Sequence, residues 1–290
     1  MALFGRIDHK TAAPLRKRLL SKARFEIIPL KNLSAQLEYI PAGSSLSVTA
    51  SPVKAIEDTL DLTEKVLGLG HRPVPHIGAR MVESKEHLAR LLDRIGDMGI
   101  TELFLVGGDA PEPFGDFDHA VQVLEAIAAL DHSLTHIGVT AYPDGHGFIS
   151  DEKLHKALFD KQEILQAMDI KGHASTQMCF DADAIRTWLA TERAAGLELP
   201  IHLGIPGAVD RAKLITMGAR LGVGASLRYL KKNSGTLTRM FAPGGYDPNK
   251  LLGPLAGELD ALGIEGLHIF TFNQIEATVE WRDAAIGQLD

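Results

Sequence analysis

Short apolar segments alternate with longer segments of helical periodicity from about residue 24 to the end of the chain. In the longer segments apolar residues recur three and four positions apart, as in Leu88, Leu91 and Ile95, which is the spacing of one helix face. The short segments have the length and the β-branched content of buried strands. Eight such segments are present, at 24–30, 45–51, 74–79, 101–107, 136–142, 173–180, 200–205 and 267–273.

This order of strands and helices predicts a parallel α/β fold, because each strand is followed by a segment able to cross back over the sheet. Eight strand–helix units in one series favour a closed (β/α)₈ barrel, or TIM barrel, that forms a single catalytic domain over residues 24–290. An open, doubly wound sheet is the alternative. Such a sheet usually carries a G-x-G-x-x-G turn when it binds a dinucleotide, and residues 29–32, Pro-Leu-Lys-Asn, lack that pattern.

Two segments fall outside the alternation. Residues 1–23 form an N-terminal extension, in which 12–22 predict a helix that covers the bottom of the barrel. Residues 224–253 predict an insertion before the last helix. Insertions above the catalytic face of a barrel serve as lids or substrate walls, and an ordinary structural loop is an equally good interpretation here.

Composition and charge limit the class of protein. Hydrophobic residues make up 45% of the 290 residues and charged residues 23%, which indicates a globular chain with a large core. The formal net charge is −7 and no basic stripe is present, so neither nucleic acid nor an anionic membrane surface is an expected partner. Association into a homo-oligomer is left open by the sequence.

Cysteine use and hydropathy indicate the compartment. Cys179 is the single cysteine, so no internal disulfide is expected, and no Cys/His spacing resembles a zinc site. The first ten residues have no long apolar stretch after their charges, and no run of 18 apolar residues occurs anywhere. These observations predict a cytoplasmic protein with no export signal, no membrane span and no bound metal.

Chemistry in a (β/α)₈ barrel is expected at the carboxyl ends of the strands. Alternation places Glu26 opposite Phe25 and Ile27, in the barrel interior, where poor solvation favours the protonated carboxyl group and a general-acid role. An internal salt bridge is the alternative for Glu26. Asp109 follows two glycines after the fourth strand, which suits either a carboxylate that faces the cavity or a turn residue.

The other strand ends carry further polar candidates. Gln177 offers an amide that can donate and accept toward a heterocycle, or can bond to a neighbouring strand. Tyr142 and His146 flank a Pro-Asp-Gly turn that can present both side chains to a substrate. A lone strand histidine such as His76 is more often a core group than a catalyst. The second and eighth strands contribute Thr49 and Asn273.

In this order, these segments resemble the methylenetetrahydrofolate reductase family over essentially the whole chain from residue 24 onward. Phe-Glu-Ile-Ile-Pro at 25–29 is similar to the family's opening F-E-F-F-P-P strand, whose glutamate is the catalytic acid. Each match is weak by itself, but the ordered set is fairly specific. The others are Ser-Val-Thr at 47–49, Pro-His at 75–76, Gly-Asp-x-Pro at 108–111, Ala-Tyr-Pro-x-x-His at 141–146, Thr-Gln-x-x-Phe-Asp at 176–181, Gly-Ile-Pro at 204–206 and Phe-Thr-Phe-Asn at 270–273.

The resemblance implies reduction of 5,10-methylenetetrahydrofolate to 5-methyltetrahydrofolate. Protonation of a folate nitrogen opens the five-membered ring, and the resulting iminium cation accepts hydride. By this resemblance Glu26 supplies the proton, Asp109 supports the pterin and the charge of the cation, and Gln177 orients the folate. Tyr142 and Asn273 complete the expected substrate contacts. The two carboxyl groups need different environments, because an acid begins protonated whereas a cation-stabilising group is ionised.

Departures from the family pattern concern the flavin. Members that bind FAD carry an arginine directly before Gly-Asp, where this chain has Gly107. They also carry a lysine later in the chain, for which Lys161 is the nearest candidate here, although its position does not align with that of the family's lysine. Some branches of the family pass hydride straight from a reduced nicotinamide to the folate, and the resemblance to them implies a reaction without flavin, with NADH expected in preference to NADPH. The residues expected to line the nicotinamide or folate pocket are Thr49, His76, Gly108, Tyr142 and His146.

Three alternatives remain open. The first is a conventional FAD-dependent methylenetetrahydrofolate reductase. The second is a barrel that binds a folate or another pterin without turnover, or that serves as the partner of a methyl carrier. The third, an aldolase or lyase barrel, is disfavoured because no strand end carries a lysine suited to a Schiff base.

Overall fold

Eight parallel strands form a closed barrel in the computed structural model, which describes residues 9–51, 54–220 and 245–289. Each strand pairs with its neighbours in the chain, and β1 also pairs with β8, so the sheet has no edge. The predicted (β/α)₈ barrel is therefore confirmed. The strands are β1 (Arg24–Ile27), β2 (Ser45–Val48), β3 (Arg72–Gly78), β4 (Glu102–Val106), β5 (His136–Ala141), β6 (Lys171–Thr176), β7 (Ile201–Pro206) and β8 (Ile264–Phe270).

Helices alternate with the strands and pack around them. The spaced apolar residues that predict helices are buried, as Leu88, Leu91 and Ile95 are in α3. Of the helices described, none has both the length and the apolar character needed to span a bilayer. The helices are α1 (His9–Ser21), α2 (Ile56–Gly68), α3 (Lys85–Asp97), α4 (Ala120–Ala128), α5 (Asp151–Ala167), α6 (Ala182–Ala194), α7 (Arg211–Arg220), α8 (Asn249–Leu255) and α9 (Ile275–Gly287), with short 3₁₀ helices at Leu37–Tyr39 and Ala79–Met81.

The main hydrophobic core lies between the strands and the surrounding helices. Phe25 and Ile27 of β1 are fully buried in it, and the guanidinium of Arg282 on α9 lies 5.4 Å from the centre of the Phe25 ring. Successive side chains of a strand point to opposite faces. Glu26, between Phe25 and Ile27, therefore points into the barrel.

The N-terminal helix α1 begins at His9, three residues before the predicted start, and precedes β1 directly. Leu19 and Leu20 bury their side chains in the main core. The helix contacts α9 and β8, so it extends the outer helical layer beside the seam of the barrel. That it also covers the bottom of the barrel stays a prediction.

Two strands lie earlier in the chain than predicted. β8 is displaced by three residues from the predicted 267–273. Phe272 and Asn273 have φ angles of 47° and 55°, in the left-handed region, and this backbone ends the ladder although the sequence is still strand-like. β6 ends before the last residues of the predicted 173–180, because these lead into the N-cap of α6, Asp181.

Most of the predicted insertion, residues 224–244, lies outside the described residues. Its remainder, 245–253, contains Tyr246 and the first part of α8. Tyr246 is buried, and its ring centre lies 5.3 Å from that of Phe180. This part of the predicted insertion is therefore packed against the residues that follow β6.

Two glycines make room for imidazole rings inside the barrel. A Cβ atom on Gly138 would lie 2.5 Å from ring carbons of both His173 and Phe104, and one on Gly266 would lie 2.5 Å from the ring of His202. These distances are far below van der Waals contact. At both glycines, rings from neighbouring strands therefore occupy the space that any larger side chain at the glycine position would need.

Gly138→Ala is expected to lower the free energy of unfolding by about 1–3 kcal/mol, because the added methyl group must displace the rings of His173 and Phe104. The matched control is Gly68→Ala at the end of α2, where a Cβ atom meets nothing within 4 Å. We expect this control to be neutral or stabilising by up to about 1 kcal/mol. Urea unfolding followed by circular dichroism measures both changes, and equal stability of the two variants would contradict the packing described.

Candidate active site

The side chain of Glu26 is enclosed in the barrel interior. It is 8% exposed, and its Oε2 atom lies 2.9 Å from Nε2 of His268, which is 2% exposed. The two side chains meet because Glu26 pairs with Phe270 of β8, and His268 lies two residues earlier on the same face. A buried acid and an internally bonded carboxylate, the two interpretations made from the sequence, are both compatible with this contact.

The backbone around Glu26 is held by the residues that follow β8. The hydroxyl of Thr271 donates to the carbonyl oxygen of Glu26 at 2.5 Å. Asn273 accepts a hydrogen bond from the backbone N of Ile28 and donates one to its carbonyl oxygen, both at 2.9 Å. Asn273 is buried and its amide positions the backbone of β1, while a substrate contact of this residue stays a prediction.

The barrel interior opens to solvent one layer above Glu26. The next inward-facing positions toward the carboxyl ends of β1, β2, β4 and β5 are Ile28, Thr49, Val106 and Thr140, and all four are partly exposed. The Glu26 carboxyl group therefore lies one inward-facing position below this mouth.

Two residues at the mouth offer polar groups to a ligand. The hydroxyl of Thr49 is buried and has no hydrogen-bond partner in the part of the chain that the structure describes. Gln177 is half-buried, and its Oε1 accepts from the backbone N of Met178 at 2.7 Å, which leaves the amide NH₂ to donate. An unsatisfied buried polar group costs about 1–3 kcal/mol, so a ligand that bonds to Thr49 gains stability from the contact.

Asp109, Tyr142 and His146 lie together above β4 and β5. The rings of Tyr142 and His146 meet edge to face with their centres 5.4 Å apart. Asp109 is exposed, yet the partial burial of its carboxyl group raises its pKa, an effect that His146 opposes. Burial raises the pKa of the Tyr142 phenol, and Asp109 adds to this rise. The mouth therefore presents a neutral phenol close to a carboxyl group.

Gly108 brings the loop after β4 against the end of β3. Its φ angle is 90°, a conformation that favours glycine, and its Cβ position faces the backbone of Gly78 at 3.5 Å. The backbone N of Arg80 donates to the carbonyl oxygen of Gly107 at 3.0 Å. These contacts fix the loop that carries Asp109, while a direct cofactor contact of Gly108 stays a prediction.

His76 lies one layer deeper than the pocket that it was predicted to line. It is 5% exposed, its Nε2 atom lies 2.5 Å from the hydroxyl of Ser47, and its ring centre lies 4.8 Å from that of Phe104. Burial holds the pKa of His76 well below its ordinary value, and the neighbouring His268 and Arg24 lower it further. These contacts favour the core interpretation of this histidine over a contact with the cofactor.

Four more histidines, which were not predicted as site residues, face the barrel interior: His136, His173, His202 and His268. Nε2 of His136 lies 2.8 Å from Nδ1 of His173, whose ring stacks on that of His202 with centres 3.8 Å apart. Burial lowers the pKa of these three imidazoles, that of His202 to about 3. Strand alternation was the available signal, because each histidine occupies an inward position of its strand.

The interior polar residues form two groups separated by Phe104. The centre of its ring lies 4.8 and 5.7 Å from the rings of His76 and His268, and 6.1 Å from that of His173. We define the upper group as Glu26, His76 and His268, and the lower group as Glu102, His136 and His173.

Each group combines a carboxylate with two imidazoles whose ligand atoms lie within 4.8 Å of one another, which is a donor set that zinc accepts. Each carboxylate nevertheless has a partner within the protein. Glu26 is bonded to His268, and Glu102 forms an ion pair of 2.7 Å with Arg24. The guanidinium of Arg24 disfavours a cation in the lower group.

The loop after β4 lacks the cations that would hold the phosphates of FAD. Gly107 has no side chain, and Lys161 instead donates to the carbonyl oxygen of Thr140 at 2.9 Å, where burial lowers its pKa to about 8. Arg80 is engaged with carbonyl oxygens and a carboxylate of the segment 110–118. The described residues around Gly107 therefore fit the diphosphate of FAD poorly.

The fold and the site define a (β/α)₈ barrel with an enclosed carboxyl group below a polar mouth at the carboxyl ends of its strands. The chain belongs to the methylenetetrahydrofolate reductase family, whose sequence profile matches residues 30–223. This match confirms the resemblance noted in the sequence. It begins just after β1, so the assignment of a role to Glu26 depends on the structure and on the opening motif.

Solved structures share the fold at low sequence identity. An uncharacterized protein from Clostridium thermocellum that binds two copies of 5-methyl-5,6,7,8-tetrahydrofolic acid is 15% identical, with a TM-score of 0.65 over 94% of this chain and 99% of that chain. Oxaloacetate acetylhydrolase in complex with the inhibitor 3,3-difluorooxalacetate is 13% identical, with a TM-score of 0.50 over 96% and 84%. At these identities the similarity shows the fold alone.

Acid is expected to destabilise the protein through its interior histidines. A histidine whose pKa is lower in the folded than in the unfolded protein binds more protons when unfolded. Its contribution to stability is therefore complete above about pH 6.5 and is lost as the pH falls toward the folded value, which is about 3 for His202. Between about pH 6 and 5, each such histidine lowers the free energy of unfolding by about 1.4 kcal/mol for each pH unit of acidification.

His202→Gln is expected to reduce this slope by about the contribution of one histidine, measured by urea unfolding across that pH range. The control is His119→Gln, since His119 is exposed and should leave the slope unchanged. A slope that is the same in wild type and His202→Gln would show that His202 is already protonated in the folded protein, contrary to the expectation.

Proposed function

We propose that this protein reduces 5,10-methylenetetrahydrofolate to 5-methyltetrahydrofolate with hydride taken directly from NADH. Membership of the methylenetetrahydrofolate reductase family supports the class of reaction. The observation that carries the proposal is the enclosed carboxyl group of Glu26, bonded through one oxygen to His268 and one layer below an open mouth. The Clostridium thermocellum protein supports a reduced folate as a ligand suited to this fold.

In the proposed reaction the carboxyl group of Glu26 gives its proton to N10 of the folate while the bond between N10 and the methylene carbon breaks. The electron pair of that bond stays on N10, and the methylene carbon becomes part of an iminium cation on N5. Hydride from C4 of the nicotinamide adds to this carbon, which gives the methyl group and NAD⁺. One NADH and one proton are consumed, and Glu26 takes up a proton before the next turnover.

The surroundings of the two carboxyl groups suit different tasks. Glu26 is enclosed, so bulk water does not compete with the folate nitrogen for its proton. Asp109 is partly open to solvent, which suits a group that supports the positive charge of the iminium cation. Tyr142 and Gln177 present a phenol and an amide NH₂ that we assign to the polar edge of the pterin.

A reaction without flavin is favoured by the loop after β4. The described residues around Gly107 offer no free cation to the diphosphate of FAD, because Arg80 and Lys161 are engaged elsewhere. We assign the unpartnered hydroxyl of Thr49 to the carboxamide of a bound nicotinamide. NADPH carries the same reactive ring, so the two reductants are compared in the assay below.

A folate-binding barrel without turnover is the second candidate. It is favoured by the Clostridium thermocellum structure, whose described property is binding. The enclosed carboxyl group of Glu26 favours catalysis, because binding of a polar ligand does not require a group that can hold a transferable proton.

The freshly purified protein is expected to be colourless and to oxidise NADH only when 5,10-methylenetetrahydrofolate is present, forming 5-methyltetrahydrofolate in equal amount. An absorption spectrum, a coupled NADH assay and chromatography of the folates check these three points. The visible bands of oxidised flavin at stoichiometric intensity would support the FAD-dependent alternative. Folate binding without oxidation of either NADH or NADPH would support the binding barrel.

Glu26→Gln is expected to lower kcat by about 10²- to 10⁴-fold, because the amide keeps the shape of the side chain but has no acidic proton. Binding of 5-methyltetrahydrofolate, measured by calorimetry, should stay within about threefold of wild type. The control is Glu125→Gln on the exposed face of α4, which removes the same charge far from the site. Full activity of Glu26→Gln would remove Glu26 from the mechanism.

A further inference from the structure

We propose that His268 is a positioning residue for this reaction, which fixes one carboxyl oxygen of Glu26 and so assigns the transferable proton to the other oxygen. The inference rests on the proposed function and deepens it. His268 lies on β8, and its Nε2 atom is 2.9 Å from Oε2 of Glu26. The side chains are 2% and 10% exposed, so water does not replace this contact.

The hydrogen-bond partners of His268 determine which of its nitrogens carries the proton. Nε2 faces the carboxyl oxygen of Glu26, whereas Nδ1 is buried and has no partner among the described residues. A neutral imidazole has one N–H donor and one acceptor nitrogen, and a buried donor without an acceptor is rarer than an acceptor without a donor. The proton therefore lies on Nε2, and His268 donates to Glu26.

This donor decides how a protonated Glu26 is arranged. The carbonyl oxygen of a carboxylic acid accepts a hydrogen bond better than its hydroxyl oxygen does. Oε2 accepts from His268 and is therefore the carbonyl oxygen, which leaves the acidic proton on Oε1. The hydroxyl of Thr271 holds the backbone carbonyl of the same residue, so the base of the side chain is fixed as well.

The hydrogen bond from His268 also stabilises the carboxylate that Glu26 becomes after it has given up its proton. Once Oε1 has lost its proton, Glu26 is a carboxylate and the bond from Nε2 becomes charge-assisted, which makes it about twice as strong. In this role His268 donates the same hydrogen bond before and after the transfer. It thus lowers the energy of the carboxylate without supplying the proton that reaches the folate.

A relay of protons through the lower group is not needed for this role. The ring of Phe104 lies between the upper and lower groups and carries no group that can accept or donate a proton. Of the lower group, His173 is held neutral by burial, as its lowered pKa indicates. The proton that restores Glu26 is therefore expected to enter from the mouth.

The other imidazoles around the pair do not compete with it for protons near neutral pH. Burial lowers the pKa of His76 and of His202, so both are neutral, as His173 is. Arg24, the register partner of His268, forms an ion pair with Glu102. A shift of the pH profile in a variant of His268 therefore reports on its contact with Glu26. Among described residues, the charged and titratable groups around the pair are Arg24 on β1 itself and, on other strands, His76, Glu102, His136, His173 and His202.

The test compares His268→Gln and His268→Leu in the full chain. Glutamine keeps an amide N–H that can reach the position of Nε2 but cannot take up a proton, and leucine removes the donor. We expect kcat of His268→Leu to fall by about 10- to 100-fold, with the KM for 5,10-methylenetetrahydrofolate within about threefold of wild type. His268→Gln should retain kcat within about fivefold of wild type.

The pH profile distinguishes positioning from a merely structural role. In His268→Leu the alkaline limb of the kcat profile is expected to move to higher pH, because the carboxylate of Glu26 has lost its donor. In His268→Gln the limb should stay in place. The control is His136→Gln in the lower group, which should leave both kcat and the profile unchanged. Thermal unfolding verifies that each variant is folded.

Several outcomes would overturn the proposal. If His268→Gln is as inactive as the leucine variant, His268 carries a proton and does not merely position one. If folded His268→Leu keeps wild-type kcat, or shows the wild-type profile, its contact with Glu26 has no role in proton transfer. If His268→Leu does not fold, the test depends on His268→Gln alone. The kcat of that variant and the pH profile of its kcat must then match those of wild type.

A spectroscopic readout separates this inference from the proposed function. Long-range ¹⁵N–¹H correlation spectra, with the signal assigned from its loss in His268→Gln, are expected to show His268 as a neutral imidazole protonated on Nε2. A proton on Nδ1, or a positively charged ring at pH 7, would contradict the inference even if the enzyme is active. If wild type shows the Nε2 proton but no turnover of 5,10-methylenetetrahydrofolate, the proposed function fails and the assigned contact stands.

Discussion

The seam between β1 and β8 is the constraint on which the site depends. β1 has four residues, and three of them pair with β8, so the ladder that closes the barrel is short. Side chains of residues 268–273 supplement it by bonding to the side chain of Glu26, to its carbonyl oxygen and to the backbone of Ile28. A slip of one residue at this seam would turn Glu26 toward the helices. The contacts that close the sheet therefore also keep the carboxyl group inside it.

The interior of this barrel departs from the usual filling of branched apolar residues. Five histidines and two glutamates occupy inward positions, and glycines on β5 and β8 leave room for the rings. Burial keeps most of these imidazoles neutral, which avoids the larger cost of enclosing several positive charges. The arrangement remains sensitive to acid, because unfolding frees the same groups to take up protons. A polar interior is thus compatible with a stable barrel only within a limited range of pH.

The alternation of strands and helices along the chain predicted the fold, and the alternation of side chains along β1 predicted the inward direction of Glu26. Neither pattern predicted the partners of Glu26. The strands of a parallel barrel are buried on both faces, so inward and outward positions differ little in hydropathy. His268 stands between two apolar neighbours and resembles a core residue until the register of β1 and β8, which pairs Glu26 with Phe270, brings it to the same inner face as Glu26. Asn273 was expected to contact a substrate because it lies at the end of the predicted eighth strand. Its left-handed backbone and its bonds to Ile28 depend on the closed sheet, which no local pattern reveals.

Two of the groups assigned to the folate and the groups that would serve a flavin belong to different parts of the scaffold. Glu26 and Gln177 lie on or directly after β1 and β6, where the register of the sheet fixes their positions, whereas Asp109 shares the loop after β4 with Gly107. Gly107, the position at which a flavin-binding member has its arginine, lies in the loop after β4. Lys161 lies on helix α5. Replacing a loop arginine by glycine, or turning a lysine toward the backbone of β5, leaves the strand ends in place. In the proposed reaction, a barrel of this family can therefore change its source of hydride while it keeps the geometry that opens the folate ring.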